Sequence, residues 1–248
     1  MILKTELQSA PLDLVTAVIE KAQANFEDMG ATISITGDFD AFHAVDRDGA
    51  LVFGGYNPGT TNATRGVSVV VSVDGVAVAT GAAGLFETYE RSMADLIHEI
   101  GIYQSPSDHV TLSGDCLDWL SSVTGRVMYI GGVWVRKDHR KTRLSHTVVP
   151  LVPLITAAIA AQVWRAEHMV SLVENAIVTE GIADRYRAWF ARSGAMWRLN
   201  GRDVPMVLAY TAPIQAIMDA KGFMRQGMEY LQTPLSRSAN SGLSPAAA

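Results

Sequence analysis

Apolar positions change their period several times along the chain, and each change marks an element. Leu12, Val15, Val18, Ile19, Ala22 and Phe26 recur at helical spacing behind Ser9-Ala-Pro11, which predicts an amphipathic helix ending near Gly30. Ala31-Thr-Ile-Ser-Ile-Thr36 alternates instead and reads as a strand, and a long turn-rich loop follows from Phe53 to Asn62. Gly66 to Val73 and Val76 to Gly81 then predict two strands around the tight turn Asp74-Gly75. Between 87 and 126 the pattern is mixed. Tyr89, Met93, Leu96, Ile97 and Ile100 make one helical face, and Leu117, Trp119, Leu120 and Val123 suggest a second, shorter helix.

A strand over 127–136 runs into a basic turn and then a long apolar segment. Pro150 and Pro153 interrupt that segment, and a proline inside a helix removes a hydrogen bond at a cost of about 3 kcal/mol. The expectation is therefore a kink or a restart, with Pro153 in the first turn of a helix over Leu154 to Trp164 and Leu144 to Val152 as a short helix or loop. Met169 to Val173 reads as a strand, followed by Glu174-Asn175 and a helical segment that holds Tyr186. Asn200-Gly201 between the apolar runs Ala195 to Leu199 and Val204 to Tyr210 is a hairpin signal. From Gln232 the chain is rich in small and polar residues, as flexible ends are.

Composition narrows the class. With 248 residues, 48% of them hydrophobic, and a net charge of −5, the chain can bury one sizeable core or two small ones. No apolar run is expected to span a bilayer, because Pro150, Pro153, Gln162 and Arg165 break the longest one. The N-terminus has no secretory pattern, and the single cysteine, Cys116, excludes an internal disulfide, so a cytoplasmic location is expected. Acidic overall charge and the lack of aromatic residues among the basic ones argue against a nucleic-acid partner.

The basic turn carries the chemistry. In Gly132-Val-Trp-Val-Arg-Lys-Asp-His-Arg-Lys-Thr-Arg-Leu-Ser145, Arg136, Lys137, Arg140, Lys141 and Arg143 gather positive charge at one site of an acidic protein. A strand edge offers backbone groups to an extended ligand, and amides at a helix N-terminus hold phosphate. The segment resembles motif A of the GCN5-related N-acetyltransferases (GNAT), where a V-x-V strand is followed by R-x-x-G-x-G/A around the pyrophosphate of acetyl-CoA. Val133 and Val135 match the strand, and Arg140 matches the leading basic residue. Arg143 and Ser145 stand at the two small positions, where glycine would allow positive φ and a close backbone approach. The alternative reading is a basic surface turn between a buried strand and a helix.

The resemblance implies an α/β (α+β) fold, a mixed, central twisted sheet with helices on both faces. Residues 1–64 add an N-terminal helix and strand to the same fold, 65–231 form the acyltransferase core with a helical insertion at 87–126, and 232–248 form the tail. It implies acetyl-CoA or another acyl-CoA as donor, held by Val133, Trp134, Val135, Arg140, Lys141, Thr142, Arg143, Leu144, Ser145 and Asn175. Tyr186 would protonate the departing thiolate, although its spacing from Asn175 is long and Trp189-Phe190 stands where the family has G-F. The family often carries a base where this chain has Gly131, which leaves Glu87 and Glu174 as substitutes and Asp115 as a weaker one. Partners would be a small-molecule or peptide amine and at most a second copy of the chain. The insertion is expected to cover the acceptor's way in. The competing expectation is a GNAT-like domain that has lost catalysis and binds a ligand or partner.

Other chemistry finds little support. The six histidines form no H-x-x-x-H or H-E-x-x-H pattern, so no metal site is expected. Cys116 has no basic neighbour in sequence and reads as a core residue. Gly81-Ala-Ala-Gly84 is too short for a phosphate loop, and neither Ser113-Gly114 nor Ser193-Gly194 fits a nucleophile elbow.

Overall fold

The computed structural model describes residues 13–48, 56, 63–100, 109–179, 187–188, 190–199 and 202–233. Helix α1 (Asp13–Glu27) buries Val15, Val18, Ala22 and Phe26, the face its periodicity predicts. Gly30, at φ +69, ends the excursion and leads into β1 (Ala31–Thr36), after which a single turn, α2 (Asp40–His43), buries Phe42. Strands β2 (Arg65–Val73) and β3 (Val76–Glu87) form the expected hairpin. Asp74 and Gly75 both take positive φ, the conformation that a two-residue turn needs to match strand twist.

Within the insertion the two expected helices are α3 (Met93–Ile100) and α4 (Gly114–Ser122). Between them lies β4 (His109–Leu112), which the sequence pattern did not reveal because four residues are too few to display alternation. Strand β5 (Arg126–Val135) leads to helix α5 (Arg143–Ile159), and β6 (His168–Glu174) to the short helix α6 (Asn175–Thr179). Strands β7 (Phe190–Leu199) and β8 (Arg202–Thr211) pair with Leu199 opposite Arg202. Residues 213–232, unassigned from sequence, form α7 (Pro213–Gln226) and α8 (Met228–Gln232).

The eight strands of the described residues join one sheet in the order β1-β2-β3-β5-β6-β8-β7-β4. Only β5 and β6 run parallel; every other neighbouring pair is antiparallel. One face packs against α1, α5 and α7, with Val69, Val71, Met128, Val148, Leu151 and Phe223 in its core. The other face packs against α2 and the insertion, through Phe42, Phe86, Leu96, Trp119, Tyr129 and Trp197. Helices thus cover both faces, as the resemblance implies.

The restart expected at Pro153, with a short helix or loop before it, does not occur. Helix α5 runs without interruption through Pro150 and Pro153 and continues as a π-helical turn, Ala160–Trp164, closed by Arg165 at φ +52. Burial decides the outcome. Every residue from Leu144 to Ile159 except His146 is buried, and each buried Val, Leu or Ile contributes roughly 1.5–3 kcal/mol. Leu144, Val148, Val149, Leu151, Val152, Leu154, Ile155 and Ile159 together outweigh about 3 kcal/mol for each proline. The continuous helix, Arg143–Trp164, has 22 residues and is by length and composition alone long and apolar enough to cross a membrane. Here 89% of its most apolar stretch is buried against the sheet and neighbouring helices.

A buried ion pair ties the C-terminal helices down. Arg187 Nε donates to Asp219 Oδ1 at 2.7 Å, while Gln215 and Tyr230 donate to the same oxygen at 2.9 and 3.1 Å. Arg187 Nη1 also reaches the carbonyls of Tyr230 and Thr233, at 3.2 and 3.1 Å. Burial pushes the Asp219 carboxyl above its ordinary value, against the pull of these donors.

Candidate functional site

The site begins where β5 and β6 part. Their parallel register covers only Val127↔His168, Met128↔Met169 and Tyr129↔Val170, whereas β5 stays paired with β3 as far as Val135. Tyr129 closes the narrow end of the opening: its buried hydroxyl accepts the Leu172 N–H of β6 at 3.3 Å, and burial pushes its pKa up. Tyr56 sits behind it and donates to the carbonyls of Tyr129 and Ala82, at 2.9 and 3.2 Å.

A bulge sets the direction of the β5 groups above this point. Ala82 faces Gly131 and Thr80 faces Trp134, so Gly132 and Val133 together oppose Gly81. Gly132 takes φ +61, and a Cβ there would lie 2.4 Å from the Phe42 ring. Glycine is required on both counts. Beyond the bulge, the Arg136 N–H donates to Val78 O of β3 at 2.8 Å. Strand alternation then turns the N–H and C=O groups of Val133 and Val135 away from β3, toward the opening. Arg140 Nε takes the Val135 carbonyl there at 2.9 Å.

The turn itself differs from the sequence expectation. Arg143 is the first residue of α5, and the left-handed residue is Lys141, at φ +61. The lack of glycine at 143 therefore costs nothing in backbone strain; the cost falls on Lys141, about 1–2 kcal/mol. Thr142 and Ser145 form a reciprocal cap in which the Thr142 N–H donates to Ser145 Oγ at 3.1 Å and the Ser145 N–H donates to Thr142 Oγ1 at 3.5 Å. Two of the four first-turn amides are thus used, leaving those of Arg143 and Leu144 for an anion at the positive end of a 17-residue helix.

Charge at the turn is unevenly committed. Arg136 holds both oxygens of Asp138, at 2.8 and 2.9 Å, which keeps that carboxyl below its ordinary range. Lys137, Arg140, Lys141 and Arg143 are exposed and enter no ion pair among the described residues. These residues, with the Val133 and Val135 backbone, match what an extended ligand with a phosphate end needs.

The remaining sequence candidates divide. Glu174 and Asn175 lie at the end of β6 that faces the upper part of β5, and both are exposed. Glu87 pairs with Arg126 at the opposite end of β5, seven residues or roughly 23 Å from Val133 at the rise of a strand. Asp115 lies on α4, 3.3 Å from Arg192. Tyr186 and Trp189 fall outside the described residues, and Phe190 opens β7. Trp134 faces away from α5, since Val133 and Val135 on either side of it pack toward that helix. Cys116 is buried, and burial pushes its thiol up to about 11, so it is not a nucleophile at neutral pH. No metal-binding cluster occurs among the described residues. Phe42, Tyr56 and Tyr129, which shape the opening, went unnoticed in the sequence; a helical-length spacer before an aromatic gives no signal of a long-range contact.

The chain thus has a mixed sheet in which one parallel pair splays beside a helix N-terminus, the arrangement that the resemblance of the basic turn implies. No protein-family model and no curated protein matches the chain. Among solved structures it is similar to FeeM, an N-acyl amino acid synthase from uncultured soil microbes, with 9% identity, a TM-score of 0.40, and coverage of 81% of this chain and 85% of that one. It is similar also to NAA60 of Arabidopsis thaliana in complex with acetyl-CoA, with 14% identity, a TM-score of 0.41, and coverage of 73% of this chain and 99% of that one. A third is BjaI, a CoA-dependent acyl-homoserine lactone synthase with SAM and isopentyl-CoA, with 11% identity, a TM-score of 0.35, and 64% of each chain covered.

Proposed function

We propose that the chain is an N-acyltransferase that moves an acyl group, acetyl or longer, from acyl-CoA to an amine of a small molecule or peptide. The observation that carries this reading is the early end of the β5–β6 pairing: above Tyr129 β6 no longer pairs with β5, so the gap-facing groups of Val133 and the N–H of Val135 are left for a ligand, the Val135 carbonyl being taken by Arg140, and the strand leads directly to the amides of Arg143 and Leu144. Pantetheine amides suit the strand edge, and the pyrophosphate suits the turn with Lys141 and Arg143.

In this reading the amine nitrogen attacks the thioester carbonyl, whose oxygen takes the Val133 N–H. The C–N bond forms, the C–S bond breaks, a base removes the amine proton, and Tyr186 protonates the sulfur to release the free thiol of CoA. Glu174 is the carboxylate at the mouth and fits the base through a water; Glu87 is too far along β5 to serve. Gly131, which carries no carboxylate, favours the second reading, a catalytically inactive ligand-binding or protein-interaction domain.

Calorimetry with CoA and with dephosphorylated pantetheine tests the assignment. Submillimolar CoA binding is expected, and Arg143→Ala should weaken it by about 1.5–3 kcal/mol, the range for hydrogen bonds to charged groups, while pantetheine binding stays unchanged. Absence of CoA binding would overturn the donor assignment. Tight CoA binding without release of thiol in the presence of any amine would select the second reading.

A further inference from the structure

The acceptor's chemical class can be read from donors left unpaired beside the bulge, given the transfer reading above. Helix α5 seals one face of the opening with an unbroken apolar surface. An amine must therefore approach from the other face, where Phe42, Arg47 and Trp134 lie. The Phe42 ring rests against Gly132, and the Arg47 guanidinium carbon lies 4.1 Å from the centre of that ring. Arg47 Nη1 donates to the Phe42 carbonyl, but its buried Nε has no partner and Arg47 enters no ion pair among the described residues. Trp134, two residues beyond Gly132, is 6% exposed, and its buried indole N–H has no acceptor among the described residues either.

An unsatisfied buried donor is costly and uncommon. Here one lies against the Phe42 ring that rests on Gly132, the other on the strand residue two positions beyond that glycine and on the same face, and one of the two is a cation. A ligand that satisfies both must bring acceptor oxygens and negative charge, which a carboxylate does with geometry matched to a guanidinium. We propose that the acceptor is an amine bearing a carboxylate, as an α-amino acid does, with the carboxylate between Arg47 and the Trp134 N–H and the amine directed at the thioester beside Gly132. Polyamines, which carry only positive charge, would be repelled by Arg47.

The test has a binding arm and a transfer arm. Calorimetry of free α-amino acids and their methyl esters against the full chain, without donor, should show binding of at least one free acid and a loss of at least tenfold for its ester. Arg47→Gln and Trp134→Phe should each weaken the acid by tenfold or more, and circular dichroism should confirm that both variants fold. With acetyl-CoA, thiol release should rank the amines in the same order. Equal affinity for acid and ester, no binding of any free acid, or preferential transfer to spermidine would each overturn the proposal. CoA titration separates the two readings: a loss of CoA affinity in Arg47→Gln equal to the loss for the amino acid would mark the anion as a donor phosphate and overturn the proposal, whereas failure of the wild type to bind CoA would sink the transferase reading and leave the amino-acid titration to decide this one.

Discussion

The two faces of the sheet meet their polar groups differently. On the α5 face the deeply buried ion pair of Arg187 with Asp219 is fully served by Gln215, Tyr230 and two carbonyls, and among the described residues there only the Trp164 indole lacks a partner. On the opposite face Arg47 Nε, Trp134 Nε1 and His168 Nδ1 are all buried without one. The first face is organised for stability, with an apolar helix that overrides two prolines. The second face gives up stability around Gly132 and holds polar atoms ready. A site for a ligand belongs where the fold has left its own interactions incomplete.

The strongest test of this contrast removes a partner on the closed face. Asp219→Ala leaves Arg187 buried and unpaired, and such a change costs about 3–5 kcal/mol, or a fall in Tm of roughly 10 °C for a domain of this size. CoA binding measured below the new Tm should be unaffected. A loss under about 1 kcal/mol would show that the ion pair is replaceable by solvent and that the closed face is less tightly organised than its geometry indicates.

The next test probes the open face. Gly132→Ala meets both a left-handed backbone, at about 1–2 kcal/mol, and the Phe42 ring, at about 1–3 kcal/mol for overpacking. Gly75 supplies the control, because it has φ +76 and nothing within 4 Å of an added Cβ. Gly75→Ala should therefore show the backbone cost alone. Urea unfolding of both variants isolates the contribution of Phe42, and equal losses would show that the ring moves aside freely.

Much of the architecture is legible in sequence and much of the site is not, for a physical reason. Alternation at Ala31 to Thr36 and the Asp74-Gly75 and Asn200-Gly201 turns are local signals, and the strands form where they point. The unbroken α5 is not local: its prolines predict a break, and only burial against the sheet and α1 reverses the balance. The same holds for the turn. Its basic residues are plain in the sequence, but the left-handed position falls at Lys141 because Thr142 and Ser145 fix where the helix starts. Glu87 and Glu174 look equivalent as isolated carboxylates, and the register of β3 with β5 sends one of them to the far end of the sheet. Arg47 lies 87 positions before Trp134, and it reaches the bulge that precedes Trp134 in β5 only through Phe42.

The smallest expected effect concerns the third unpaired atom of the open face. His168 opens β6 and packs between Trp119 of α4 and Tyr210 of β8, with ring centres 6.3 Å away in both cases. Burial holds its imidazole below the ordinary value, opposed by Glu167 next to it. The folded chain therefore binds fewer protons at this site than the unfolded chain, whose histidine titrates near about 6.5. By linkage, the stability this residue contributes is fully present above that pH and is lost as pH falls through it. Tm should drop between pH 7.5 and pH 5.5, and His168→Phe, which keeps an aromatic ring against Trp119 and Tyr210, should drop less over the same interval. Identical pH slopes in the two proteins would mean that the imidazole is as free to take a proton when folded as when unfolded, and His168 would then no longer count among the polar groups that the open face leaves unsatisfied.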